Sequence, residues 1–302
     1  MADGKAMSSA SGVTIDEFAR RSVLRRVAGN AGIAFACLFL LLIVLVAIFA
    51  PAVAPHDALS GSILDNLKPP GSVSQEGLPY ALGTDAVGRD VLSGIAYGAR
   101  ISLMVGLLSV FGAGVIGTVI GIVAGYARGW VDEVVMRLVD IQLAFPFILL
   151  AIVIMYILGR GLMNVIVVLI VATWPMYARV ARAQALKLRE TEFVQAARSV
   201  GAGHWRIMLR HILPNSLTPL IVVATFAVPQ MIIFEAALSF LGVGMPPDIV
   251  SWGSMLASGR GQLEQAWWVA TFPGLAIMFT VLSVNLIGDW LRDWFDPQLR
   301  NL

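Results

Sequence analysis

The chain has 302 residues, of which 58% are hydrophobic and only 13% charged, and its mean hydropathy is +0.82. A soluble domain of this size does not carry so little charge, so the chain is an integral membrane protein. A net charge of +2 leaves no electrostatic footprint for nucleic acid, and the single cysteine, Cys37, excludes an internal disulfide or a cysteine metal cluster.

Residues 1–30 are polar and basic and read as an N-terminal cytoplasmic tail. Apolar runs of about 20 residues cross the ~30 Å hydrocarbon layer as helices. The first, Ala31–Ala50, is stopped by Pro51. Ala52-Val53-Ala54 mimics a signal-peptide cleavage site, but the run exceeds the usual apolar region of about 7–15 residues, so it reads as an uncleaved anchor. Residues 51–100 form the largest outer loop, turn-rich through Pro69, Pro70, Gly71 and Pro79, with a short amphipathic helix near Arg89–Tyr97.

The second span, Ile101–Tyr126, carries Gly117, Gly121 and Gly125 at four-residue spacing. Such a face lets another helix approach closely, or lines a narrow path. The third span is Val134–Leu158, and the fourth is Leu162–Tyr177 with a polar extension, interrupted by Thr173, Trp174 and Pro175. Leu217–Leu241 and Trp267–Leu286 complete six spans, so residues 101–290 make a five-helix core and 291–302 a C-terminal tail.

Alternate sides of these spans hold sixteen and five of the twenty-one Lys/Arg residues, which predicts cytoplasmic N and C termini. Seven of the sixteen lie in the insertion 179–215, against the two acids Glu190 and Glu192. Gly201 divides this insertion into two helical arms, and Pro214 can start the span that follows. A compact helix–turn–helix at the cytoplasmic face, with small residues on its first arm, suits docking into another protein.

Few charges fall within the spans. Arg137 and Asp140 are spaced i,i+3 and read as an ion pair, as do Asp289 and Arg292. Glu235 lies inside the fifth span without a basic neighbour; a capping or inter-helix hydrogen-bonding role is the first reading, and a functional role the second. No P-loop, HExxH or G-x-S-x-G pattern is present, so the chain is read as non-catalytic, with no metal site and no cofactor of its own.

The segment 195–214 resembles the cytoplasmic "EAA" loop of membrane subunits of bacterial ATP-binding cassette importers. Ala196, Ala197, Gly201, Leu213 and Pro214 match at the family spacing, while Gln195 stands for the usual Glu and His211 for Ile. Four further blocks, LGTDAVGRDVLSGIAYGARISL (82–103), MRLVDIQLAFP (136–146), EAALSFLGVG (235–244) and GDWLRDWFDPQLR (288–300), are similar to the dipeptide/oligopeptide (DppC/OppC-like) branch.

The resemblance implies an all-α, six-span permease with a type I importer (MetI-like) core in the bacterial inner membrane. Its implied partners are a second homologous permease, two ATPases that bind ATP and Mg, and an extracytoplasmic substrate-binding protein. It further implies that Phe193, Gln195, Ala196, Ala197, Arg198, Gly201, Leu213 and Pro214 serve ATPase coupling. The implied substrates are dipeptides or short peptides, with glutathione, nickel chelates, opines or sugars as the alternatives; an ATPase-independent secondary transporter is the more distant one. No residue of the sequence marks the substrate path.

Overall fold

The computed structural model describes residues 31–75 and 77–295. The 1–30 tail and residues 296–302 of the C-terminal tail lie outside them.

Helix α1 (Ala31–Ile48) is the anchor. Pro51 does not stop it so much as open a one-turn helix, Ala50–Val53, where its missing N–H leaves no helical bond unmade. The loop beyond is a built lobe. A 3₁₀ turn at Ile63–Asp65 precedes a two-residue antiparallel ladder of β1 (Ser72–Val73) and β2 (Pro79–Tyr80). Asp65 is buried there, accepting from the Tyr80 hydroxyl at 2.9 Å and pairing with Lys68 at 2.6 Å. Trp268 Nε1 donates to the Thr84 carbonyl at 3.1 Å and holds the lobe on the bundle.

Helix α2 (Val91–Ala127) begins ten residues before the predicted second span, absorbing the amphipathic segment. Asp90 caps it, accepting from the Ser93 backbone N–H at 2.8 Å. Thirty-seven residues make a rod of about 55 Å, so α2 projects beyond the hydrocarbon layer.

The predicted third span, Val134–Leu158, is not one helix. It is α3 (Gly129–Ala144) and α4 (Phe147–Leu158), bent by 95°. Pro146 is the cause: it forces Phe145 into extended backbone (φ −84°, ψ 132°), which α-helix cannot follow. Five helices are long and apolar enough to cross a membrane, and this bent pair makes a sixth span if counted as one.

Helix α5 (Leu162–Leu188) runs straight through Pro175. That proline has no N–H for the Val171 carbonyl, and the side chain of Gln142 on α3 supplies the missing donor from Nε2. Gln142 Oε1 in turn accepts from Trp174 Nε1 at 2.9 Å. The remaining rungs between α3 and α5 are ionic. Arg182 grips Asp132 through two bonds of 2.5 and 2.6 Å, and Arg179 meets Asp140 at 2.5 Å.

On its other side α5 lies against the glycine face of α2. A Cβ on Gly117, Gly121 or Gly125 would sit 2.3, 2.3 and 2.6 Å from the carbonyl oxygens of Trp174, Ala178 and Arg182. The face is therefore a helix–helix seam, and α5 occupies the space a path would need.

Helix α6 (Glu192–Ser199) follows, then a turn at Gly201, where φ is +82°, a value open to glycine and strained for other residues. The chain re-enters helix at His204–Ile207 and widens to a π turn at Met208–Ile212 before α7 (Leu213–Phe240). Pro214 falls in the first turn of α7, as expected, directly after the π turn. Helix α8 (Trp252–Gly259) is short, with Trp252, Gly253 and Gly259 buried, and α9 (Trp268–Phe295) closes the bundle against α1, α7 and α8.

Candidate functional site

The basic insertion folds as the expected helix–turn–helix, and its two arms clasp one another through a small apolar core. Val194, Ile207, Met208 and Ile212 are buried. Outward from α6 face Phe193, Ala196 and Val200, with Ala197 half-buried at the edge of the same stripe. The i, i+3, i+4, i+7 spacing gathers these four onto one side of the helix. Phe193 also leans on His211, with ring centroids 6.2 Å apart. Gln195 donates from Nε2 to the Glu190 carbonyl at 3.0 Å, so the amide that replaces the usual Glu is tied to its own loop. Leu213 is half-buried and Pro214 exposed at the foot of α7.

Arg198 behaves differently from the other loop residues. It sits one turn after buried Val194, turned away from Phe193, Ala196 and Val200, with its guanidinium 5.1 Å from the Tyr126 ring at the end of α2. Tyr126 is the hub that the sequence did not reveal. Its hydroxyl lies 3.0 Å from His204 Nδ1, its carbonyl accepts from Arg189 Nη1 at 2.6 Å, and Arg189 stands 5.9 Å from its ring. Arg128 joins by an ion pair of 2.7 Å to Glu190. Tyr126 and His204 are seventy-eight residues apart, so no local pattern links them. The basic count of 179–215 was the only hint.

Both expected ion pairs fail. Arg137 pairs with Glu133 one turn earlier at 2.5 Å, and Asp140 is taken by Arg179 of α5. The i,i+4 alternative and a helix-to-helix partner each outcompete the i,i+3 spacing. Asp289 and Arg292 are both exposed and make no ion pair among the described residues.

Glu235 takes the hydrogen-bonding role. It is fully buried on α7, and its Oε1 accepts from Ser239 at 2.8 Å and from Ser251 at 2.7 Å. Ser251 is itself the N-cap of α8, in a capping box with Ser254. Trp252 then reaches α2, donating from its backbone N–H to Ser102 Oγ at 3.2 Å and from Nε1 to the Ile95 carbonyl at 3.0 Å. Among the described residues no group of three or more His, Cys, Asp or Glu side chains is placed to hold a metal ion.

Residues 117–301 match the family model described as binding-protein-dependent transport system inner membrane component, and residues 20–70 match the N-terminal TM domain of oligopeptide transport permease C. The chain is 45% identical over 275 residues to the di/tripeptide transport system permease protein DppC of Pseudomonas aeruginosa, covering 91% of this chain and 90% of that one. It is 42% identical over 285 residues to the glutathione transport system permease protein GsiD of Pectobacterium atrosepticum, covering 94% and 91%. Among solved structures, the MetNI methionine ABC transporter in an inward-facing conformation superposes with a TM-score of 0.54 at 22% identity, over 67% of this chain and 95% of that one, a likeness of fold. By these matches, with five or six helices apolar enough to cross a membrane, the chain belongs to the family of binding-protein-dependent transport system inner membrane components.

Proposed function

We propose that this chain is one of two homologous permease subunits of an ATP-driven importer of dipeptides or short peptides. Two cytoplasmic ATPases bind ATP and Mg below, and an extracytoplasmic binding protein delivers substrate above. The observation that carries this reading is α6: a short helix pinned to the bundle through Val194 that presents Phe193, Ala196, Ala197 and Val200 as an outward apolar stripe. Small side chains at 196 and 197 let a partner's groove close on the backbone, and Gly201 supplies the turn that holds the stripe outward. When the ATPases close, the stripe is pulled with them, and Tyr126, Arg189 and Arg198 pass that movement to the end of α2. The result is a rigid-body population shift between inward- and outward-facing states.

The peptide assignment is supported by relatives named for di/tripeptide and for glutathione transport, the latter itself a tripeptide. A mild-detergent purification of the tagged chain from its native membranes tests the reading. Recovery of a second permease, P-loop ATPases and a binding protein is the expected result. A chain that purifies folded but alone under every nucleotide condition overturns it.

A further inference from the structure

The elbow between α2, α5 and α6 gathers more positive charge than its acid balances. Arg128, Arg189 and Arg198 converge around Tyr126 and Glu190, and among the described residues Glu190 is the one acid paired with any of them, 2.7 Å from Arg128 and 3.4 Å from Arg189. Arg198 has the Tyr126 ring and, among the described residues, no acid. The acids of neighbouring α3 are engaged elsewhere, Asp132 with Arg182 and Glu133 with Arg137. Burial, reinforced by repulsion from Arg128 and Arg198, holds the Arg189 guanidinium below its ordinary value, and its Nε makes no hydrogen bond. Three forked donors around one site, sharing a single carboxylate, match the geometry and charge of a phosphate.

Position decides which phosphate. Ala127 and Leu188 end two helices long and apolar enough to cross a membrane, so the guanidiniums stand past their apolar windows, on the headgroup side. Trp130, two residues after Arg128, is 75% exposed, and Trp205, next to His204, is 66% exposed. Indole rings standing out at a span boundary are interfacial anchors. Arg198 also points toward the bundle side of α6, opposite the stripe proposed to meet an ATPase. We propose that Arg128, Arg189 and Arg198 form a binding site for the phosphate of an anionic phospholipid, seated between Trp130 and Trp205 at the foot of the coupling helix. It rests on the proposed function only in placing the elbow at the cytoplasmic leaflet.

The test is native mass spectrometry of the purified, intact membrane complex exchanged into mixtures of phosphatidylglycerol and phosphatidylcholine. Wild type is expected to retain phosphatidylglycerol with about a tenfold preference. Arg128→Gln with Arg198→Gln removes the preference, whereas Arg206→Gln with Arg210→Gln, an equal loss of charge outside the cluster, keeps it. No preference in wild type, or the same preference in both double variants, overturns the site. Displacement of the lipid by millimolar inorganic phosphate assigns it to a soluble anion and overturns the lipid assignment. Loss of ATPase from the Arg128/Arg198 variant with lipid preference intact places these arginines at the ATPase and also overturns it. A wild-type chain that shows the preference but purifies without ATPases supports the site while refuting the coupling reading.

Discussion

The Ser251 hydroxyl donates to Glu235 Oε1 across 2.7 Å, joining the C-terminal half of α7 to the N-cap of α8. Gly253 makes this possible: a Cβ there would lie 2.5 Å from Ala236 Cα and 3.1 Å from the Glu235 carboxyl. Glu235→Gln keeps an acceptor for both serines and is expected to be mild. Glu235→Ala strips two buried hydroxyls of their acceptor and leaves a void, lowering stability by about 2–4 kcal/mol. Thermal unfolding in detergent checks the order. Equal losses in the two variants would show that the carboxyl group itself is needed, and not merely an acceptor of its size.

The α2–α5 seam makes a graded prediction. Gly117→Ala and Gly121→Ala each drive a methyl into a backbone carbonyl at 2.3 Å and are expected to lower stability by about 1–3 kcal/mol. Gly114→Ala, whose Cβ would meet the Tyr177 ring at an ordinary 3.6 Å, is the control and should be tolerated. Unfolding midpoints of the three variants decide it; a Gly114 variant as damaged as Gly121 would contradict the seam.

Gln142 bridges the proline gap in α5. Gln142→Leu leaves both the Val171 carbonyl and Trp174 Nε1 without their partner, at a loss of about 1–3 kcal/mol. Hydrogen exchange across 171–180 should rise in that variant while exchange in α9 stays as it was. A uniform rise would mean that Gln142 supports the bundle generally and not the gap.

The lobe beyond α1 carries an acid-sensitive bond. Lys68 first, then the Tyr80 hydroxyl, hold the Asp65 carboxyl below its ordinary value of 3.8. A depressed carboxylate stabilises the fold above its unfolded value, and that stability is lost as pH falls through the folded one. The lobe is therefore expected to stay closed from neutral pH to about pH 4 and to loosen below it. Exchange of 60–84, corrected for intrinsic rates, reads this directly, and Asp65→Asn should remove the acid step. Loosening near pH 6 would assign it to another group.

Spans, their order and the glycine seam were legible because apolar runs and small-residue spacing are local features of the chain. So was the Gly201 turn, since a positive φ selects glycine. What escaped was whatever depends on a distant partner. Pro175 read as an interruption because Gln142, the residue that repairs it, lies thirty-three positions earlier in the chain. Arg137 and Asp140 read as a pair because Arg179, the stronger competitor, comes from another helix. The bend at Pro146 was signalled by a proline but hidden by continuous hydropathy on either side. Tyr126, in an apolar stretch of sequence, turned out to hold the basic insertion through His204 and two arginines.

Coupling through α6 is tested most directly by substrate-stimulated ATP hydrolysis in the reconstituted importer carrying Ala196→Trp or Gly201→Pro. The first puts bulk on the exposed stripe; the second forbids the +82° turn, since proline fixes φ near −65°. Leu42→Trp, on the lipid-exposed side of α1, is the control. Both loop variants should insert and fold, yet lose stimulation by about tenfold or more, equivalent to at least 1.4 kcal/mol of lost coupling, while the control keeps it. Full stimulation in Ala196→Trp and Gly201→Pro would contradict a coupling role for this loop.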